Sequence, residues 1–121
     1  MLYNVFPNMS FWAGYGPNIV YRRRPDDVDS TIMDIYMLRR VPKNAPRPKP
    51  VPVHWRTDAE PSSAAAELGS LGGIFDQYMS NLPHVQGGLK MVGNEIPVQF
   101  AKYTEIRLRH LHQTLPKFID S

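Results

Sequence analysis

Residues 19 to 41, IVYRRRPDDVDSTIMDIYMLRRV, contain two strand-type runs separated by a short acidic turn. The first run covers residues 19 to 24 and is closed by Pro25, and the second covers residues 31 to 41. Aromatic and β-branched residues favour strands, whereas proline and aspartate favour the turn between them. Two such runs with a short connection predict neighbouring antiparallel strands.

An earlier run, residues 2 to 11 (LYNVFPNMSF), extends this pattern to three strands. Pro7 lies inside it and predicts an edge strand or a bulge, because proline cannot donate to a sheet ladder. Gly14, Gly16 and Pro17 predict the turn that leads into residue 19. The N-terminal third of the chain is therefore predicted to be an antiparallel meander.

The second half of the chain has helical patterns. PSSAAAEL, from Pro61, predicts a helix start capped by Ser62 or Ser63, and glycines then interrupt it. Residues 74 to 90 predict a further helix that Pro83 kinks or divides. Its apolar residues recur every three or four positions and form one face: Ile74, Tyr78, Leu82, Val85 and Leu89.

Residues 101 to 118 predict the last helix, after a loop and a short strand in residues 91 to 100. Its apolar stripe is expected to pack against the sheet, because this is the face a helix buries. Strands followed by helices predict an α+β fold. The stripe consists of Leu108, Leu111, Leu115 and Phe118.

Composition limits the possible functions. The 121 residues suit one domain or part of one, and the net charge of +3 is too weak to indicate nucleic-acid binding. The chain has no cysteine, which excludes disulfides, zinc–thiolate sites and any iron–sulfur cluster held by this chain. No signal peptide or run of about 18 apolar residues is found, so a cytoplasmic protein with no membrane span is expected.

Residues 42 to 53, PKNAPRPKPVPV, contain five prolines and predict an extended arm without regular structure. One interpretation is a ligand for an aromatic groove in another protein. The favoured one is a stiff connector that lies over the protein surface or a neighbouring subunit.

Few residues suggest chemistry by their local pattern. His110 and His112 would share a face on a strand and could chelate a metal, but on a helix they point about 200° apart, which favours surface or packing roles. His54 and His84 lack the spacing of known metal motifs. The run Arg22 to Arg24 alternates between the two sheet faces and predicts a solvated edge.

Three segments, in order, resemble one family: VFPNMSFWAGYGPNIVYRRRP, IFDQYMSNLPHVQGGLK and YTEIRLRHLHQTL. They are similar to the C-terminal part of the catalytic domain of Rieske-type aromatic-ring-hydroxylating oxygenases, in the large (alpha) subunit. The first resembles a strand pair, the second the helix with the last iron ligand, and the third the closing helix. The resemblance covers nearly the whole chain, and it implies that residues 1 to 121 are one such C-terminal portion.

The resemblance implies a partial helix-grip (START-like) domain, an antiparallel sheet packed against a long C-terminal helix. It also implies oxygen insertion into aromatic substrates at a mononuclear Fe(II), held by two histidines and one carboxylate, with electrons from a ferredoxin or reductase. By the same resemblance Phe6, Asn8 and Phe11 are the expected substrate-pocket residues.

The chain departs from the family pattern. It is expected to begin after the Rieske domain, and no histidine matches the family's two-histidine iron segment. Tyr78 replaces the family's Asp ligand, and a phenol is a poorer ligand at neutral pH unless the metal lowers its pKa. Asp76 is a nearby carboxylate, but two residues along a helix is about 200° around it.

The sequence therefore predicts a C-terminal fragment of an oxygenase alpha subunit that alone binds no iron and is inactive. Its expected partners are an aromatic or apolar small molecule and further copies, or another chain that completes the domain. Nucleic acid and membrane are not expected partners. The other hypotheses are a non-catalytic module that binds an apolar ligand and a structural subunit that completes a chain with the histidines.

Overall fold

The structure, a computed structural model, describes residues 2–12, 18–93 and 96–119. It divides into two compact units, one of Met1–Leu38 with Val92–Ser121 and one of Arg39–Met91. The described residues form a four-stranded antiparallel sheet and two α-helices. The predicted α+β class is therefore confirmed.

The sheet lies in the first unit. Its strands follow one another in space as they do in sequence, and each pair is antiparallel. This strand order is that of the predicted meander, and the turn expected at Gly14, Gly16 and Pro17 lies outside the described residues. The strands are β1 (Leu2–Val5), β2 (Met9–Trp12), β3 (Ile19–Asp27) and β4 (Ser30–Met37).

The segment predicted as one strand, residues 2 to 11, is two strands joined by a tight turn. The turn spans residues 6 to 8, and the Phe6–Pro7 peptide bond within it is cis. Val5 then pairs with Met9 across the turn. The prediction of three strands was wrong because Pro7 ends a strand here instead of lying at an edge or a bulge.

The β3–β4 pair is the longest in the sheet. Its register runs from Ile19 opposite Met37 to Asp27 opposite Ser30, with an irregularity between Pro25 and Asp27. Pro25 lacks a backbone N–H, and such irregularities are typical where a ladder cannot be completed. The prediction that Pro25 closes the first strand was wrong, because β3 continues through Pro25 to Asp27 and only Val28 and Asp29 form the turn. The second strand ends at Met37 and not at the predicted residue 41.

The arginine run alternates between the two sheet faces, as predicted. In the register, Arg22 lies opposite Asp34 and Arg23 opposite Met33. The Arg24 guanidinium donates to both carboxylate oxygens of Asp34, at 2.9 and 3.0 Å. This hydrogen bonding, more than the charge itself, lowers the pKa of Asp34.

The second unit begins with a long segment that has no helix or strand, residues 39 to 61, which contains the predicted extended arm. Two short 3-10 helices follow, Ser62–Ala64 and Ala66–Leu68, in place of the predicted α-helix start. The second of them ends at Gly69, whose φ of 52° favours glycine. Helix α1 then spans Leu71–Val92, and Pro83 does not divide it.

Helix α2 spans Ile106–Ile119, in the first unit, and begins later than the predicted residue 101. Its apolar stripe does not pack as a whole against the sheet. Leu108, Leu115 and Phe118 are 44%, 38% and 65% exposed, although the Phe118 ring contacts that of Phe6 with centroids 5.0 Å apart. Leu111 is half-buried. The stripe is amphipathic as predicted, but three of its four residues remain exposed in this chain.

Each unit has few buried apolar side chains among the described residues. They are Ile19 in the first unit and Ala65 and Phe75 in the second. Large apolar side chains are exposed in both units, for example Trp55 and Leu82 in the second and Ile106 in the first. The chain therefore leaves apolar surface that a partner can cover.

Candidate functional site

The first turns of α1 contain the polar residues that the sequence singles out, and Asp76 is bound to the backbone that precedes the helix. Its carboxylate accepts hydrogen bonds from the backbone N–H groups of Ser62 and Ser63, the latter at 3.1 Å. These two N–H groups open a 3-10 helix that has no side-chain cap of its own. Asp76 therefore performs the capping role predicted for Ser62 or Ser63.

Gly72 lies one helical turn before Asp76 and allows this approach. A Cβ at Gly72 would lie 2.6 Å from the Ser63 Cα and 2.8 Å from the Ser62 carbonyl oxygen. Both neighbours are backbone atoms, so neither can move aside as a side chain would. We call the contact of Gly72 and Asp76 with Ser62 and Ser63 the serine contact.

The serine contact determines the charge state of Asp76. Its pKa is lowered, first by hydrogen bonding from the Ser63 side chain and then by the backbone N–H groups of Ser63 and Ser62, while desolvation acts in the opposite direction. Asp76 is thus ionised at neutral pH, with its oxygens already accepting hydrogen bonds. A metal ion at this carboxylate would have to compete with these donors.

Tyr78 points away from this contact. It is 64% exposed and belongs to the apolar stripe of α1, whose members are between 46% and 64% exposed. Two residues along a helix turn it by about 200°, so Asp76 and Tyr78 lie on nearly opposite faces. Of the other polar residues, Asn81 donates to the carbonyl oxygen of Gln77 at 3.0 Å.

The histidines make separate local contacts. His54 Nδ1 lies 3.2 Å from a carboxylate oxygen of Glu67. His112 stacks on Phe100 with centroids 5.1 Å apart, and His110 Nδ1 lies 3.5 Å from the Thr114 hydroxyl. Since α2 is a helix here, the pair occupies the packing and surface positions that helical geometry favours.

Within residues 2–12, 18–93 and 96–119, no three His, Asp or Glu side chains come close enough to hold a metal ion.

The three expected pocket residues lie at the start of the sheet but have different surroundings. Phe6 contacts Phe118 of α2. The Asn8 carbonyl accepts the backbone N–H of Arg23 at 2.9 Å. Phe11 stacks on Tyr3, with ring centroids 5.3 Å apart, on the sheet face that also includes Arg22.

The opposite sheet face contains a polar network that the sequence reading missed. Ser10 is only 2% exposed, donates to Asn4 Oδ1 at 2.6 Å and accepts from Arg23 Nη1 at 2.9 Å. One hydroxyl thus links β1, β2 and β3. The signal available in the sequence was strand alternation, which places Asn4 and Ser10 on one face once the turn at Pro7 is known.

No protein-family model, curated protein or solved structure matches the chain. In the described residues, no helix is both long and apolar enough to cross a membrane. The α1 region contains the Asp76 carboxylate, which already accepts hydrogen bonds, the exposed Tyr78 phenol and a long apolar helix face.

Proposed function

We propose that the chain forms the C-terminal part of the catalytic domain of a Rieske-type ring-hydroxylating oxygenase alpha subunit. The observation that supports this most is the order of the three resembling segments. Residues 5 to 25 include β2 and most of β3, residues 74 to 90 lie in α1, and residues 103 to 115 lead into α2. Each segment has the kind of secondary structure that the family resemblance implies.

The helix-grip arrangement is part of this proposal. An antiparallel meander and a C-terminal amphipathic helix are the elements of such a domain. The exposed stripes of both helices support an incomplete domain, because a complete one would bury them. A second polypeptide segment bearing the missing elements would cover these faces.

In this proposal the apolar stripe of α1 forms one wall of the substrate cavity. Aromatic substrates bind in largely apolar cavities from which water is excluded, and exposed apolar side chains of one helix can supply such a wall. An iron ion held by another chain would supply dioxygen activation. Tyr78 stands where the family has a carboxylate ligand, so this chain by itself does not fit the metal.

The replacement at Tyr78 favours a second candidate, a non-catalytic module that binds an apolar ligand. A phenol near an apolar stripe can hydrogen-bond a ligand without binding a metal. Asp76, the nearest carboxylate, already accepts hydrogen bonds from Ser62 and Ser63. A third candidate is a structural subunit that completes a chain with the two histidines.

Co-expression with a chain that contains the Rieske cluster motifs and the two-histidine segment tests these candidates. The oxygenase proposal expects a stable complex, with iron content that rises when Tyr78→Asp restores the carboxylate. Neither the unmodified chain nor Tyr78→Asp should hold stoichiometric iron alone, because about three ligands are needed. Stoichiometric iron in the unmodified chain alone would contradict this reading.

If the complex forms but its iron content is the same with Tyr78→Asp as without it, the structural-subunit candidate is favoured. If no complex forms and an aromatic ligand still protects the chain from thermal unfolding, the binding module is favoured, since a ligand of the folded state raises stability.

A further inference from the structure

The segment of residues 39 to 49, RRVPKNAPRPK, has five basic residues and no acidic one. We call it the basic arm. All five cations are exposed. The ion pairs among the described residues join Arg24 to Asp34 and His54 to Glu67, and neither pair includes a cation of the arm. The cations are Arg39, Arg40, Lys43, Arg47 and Lys49.

The charge of the basic arm differs in sign from that of the remaining chain. The protein has 14 basic and 11 acidic residues, so removing the five arm cations leaves nine basic against eleven acidic residues. Positive charge is thus concentrated in one segment, while the rest of the chain, with a net charge of −2, adds no net attraction for a long polyanion. This distribution suits a compact acidic surface better than a continuous phosphate backbone.

The backbone of the basic arm is restrained. Pro42, Pro46 and Pro48 fix φ within it, and the Ala45 N–H donates to the Pro42 carbonyl at 3.0 Å to form a turn. An extended proline-rich chain advances about 3.1 Å per residue, so the arm reaches over at most roughly 30 Å, and the turn shortens this span. A restrained arm loses little conformational entropy on binding.

We propose that the basic arm docks onto a compact, carboxylate-rich surface of another folded protein. Charge complementarity and the arm's reach define that partner as an acidic patch up to about 30 Å long. Nucleic acid fits less well, because backbone N–H groups contribute to phosphate contacts and three of the eleven arm residues are prolines. The proposal is independent of the oxygenase assignment.

The test measures binding of the full chain to a fluorescent oligoglutamate peptide of about ten residues, which spans about 30 Å when extended. The arm variant replaces its five cations by glutamine. The control variant replaces five cations elsewhere, so both lose the same charge. The control positions are Arg22, Lys90, Lys102, Arg107 and Lys117. Circular dichroism of both variants checks that the fold is kept, and binding is measured at about 0.15 M salt, where the Debye length is about 8 Å.

The expected result is saturable binding that weakens about tenfold or more in the arm variant and less than about threefold in the control. Equal weakening in the two variants would overturn the proposal, because net charge and not the arm would then explain binding. Arm-dependent binding that is stronger to duplex DNA of matched charge, or to phosphatidylserine vesicles, than to oligoglutamate would also overturn it, in favour of a phosphate ligand.

Discussion

Substituting Gly72 by alanine tests the serine contact directly. In a helix, alanine is about 1 kcal/mol more favourable than glycine, so the change would stabilise α1 if space allowed. Here the new Cβ would meet Ser63 Cα at 2.6 Å and the Ser62 oxygen at 2.8 Å. Such overpacking costs about 1–3 kcal/mol, so after the helix gain is subtracted Gly72→Ala should destabilise the second unit by up to about 2 kcal/mol.

Gly73 provides the matched control, because a Cβ there meets no atom within 4 Å. Gly73→Ala should therefore be neutral or stabilising by up to about 1 kcal/mol. For a small domain 1 kcal/mol corresponds to about 4–8 °C in Tm, so the two variants should differ by roughly 10 °C. Thermal unfolding followed by the helical circular dichroism signal measures this difference.

Equal Tm values for Gly72→Ala and Gly73→Ala would contradict this expectation, because Ser62 and Ser63 would then not lie against Gly72. Limited proteolysis between residues 61 and 70 provides a second measure. Cleavage there should become faster in Gly72→Ala than in Gly73→Ala, because the contact that holds these residues is weakened.

Three further changes have expected outcomes. Ser10→Ala should lower the free energy of unfolding by about 1 kcal/mol in chemical denaturation, because it removes a buried hydroxyl that makes two hydrogen bonds. Ser30→Ala, at the exposed first residue of β4, should change it by less than about 0.5 kcal/mol. Asp76 has a lowered pKa in the folded chain, so its stabilising contribution is complete above the ordinary carboxyl pKa of about 4 and is lost as the pH falls through the lower folded value. In Asp76→Asn the free energy of unfolding should accordingly fall less as the pH is lowered below about 4. An unchanged dependence on pH would show that the serine contact does not contribute to acid unfolding. Leu82→Glu with Val85→Glu should reduce self-association in sedimentation without loss of stability, because both side chains are more than half exposed.

The sequence predicted the elements with strong local patterns. The β3–β4 pair was recognised because two strand-type runs flank proline and aspartates, and its register follows from that short connection. Helix α1 was expected over residues 74 to 90 and spans Leu71–Val92. The turn at Pro7 was missed because one proline is compatible with an edge strand, a bulge or a turn, and only the pairing of Val5 with Met9 decides among them.

Features that depend on distant residues could not be read from local pattern. Asp76 binds backbone groups 13 and 14 residues earlier, and no periodicity connects them. The α2 stripe was identified correctly as amphipathic, yet periodicity states only that a face is apolar and not what covers it. The surroundings of the exposed Tyr78 are likewise set by residues outside its own helix, which a helical pattern does not specify.

The hydroxyl of Ser10 has a consequence for how this sheet can vary in sequence. Because Asn4, Ser10 and Arg23 share one set of hydrogen bonds, the effect of replacing one depends on the state of the others. Replacing Asn4 first leaves the buried Ser10 hydroxyl without its acceptor, whereas the same change after Ser10→Ala breaks no hydrogen bond between the two residues. The order of mutation therefore matters, and the three positions, on three successive strands, are expected to evolve as one epistatic group.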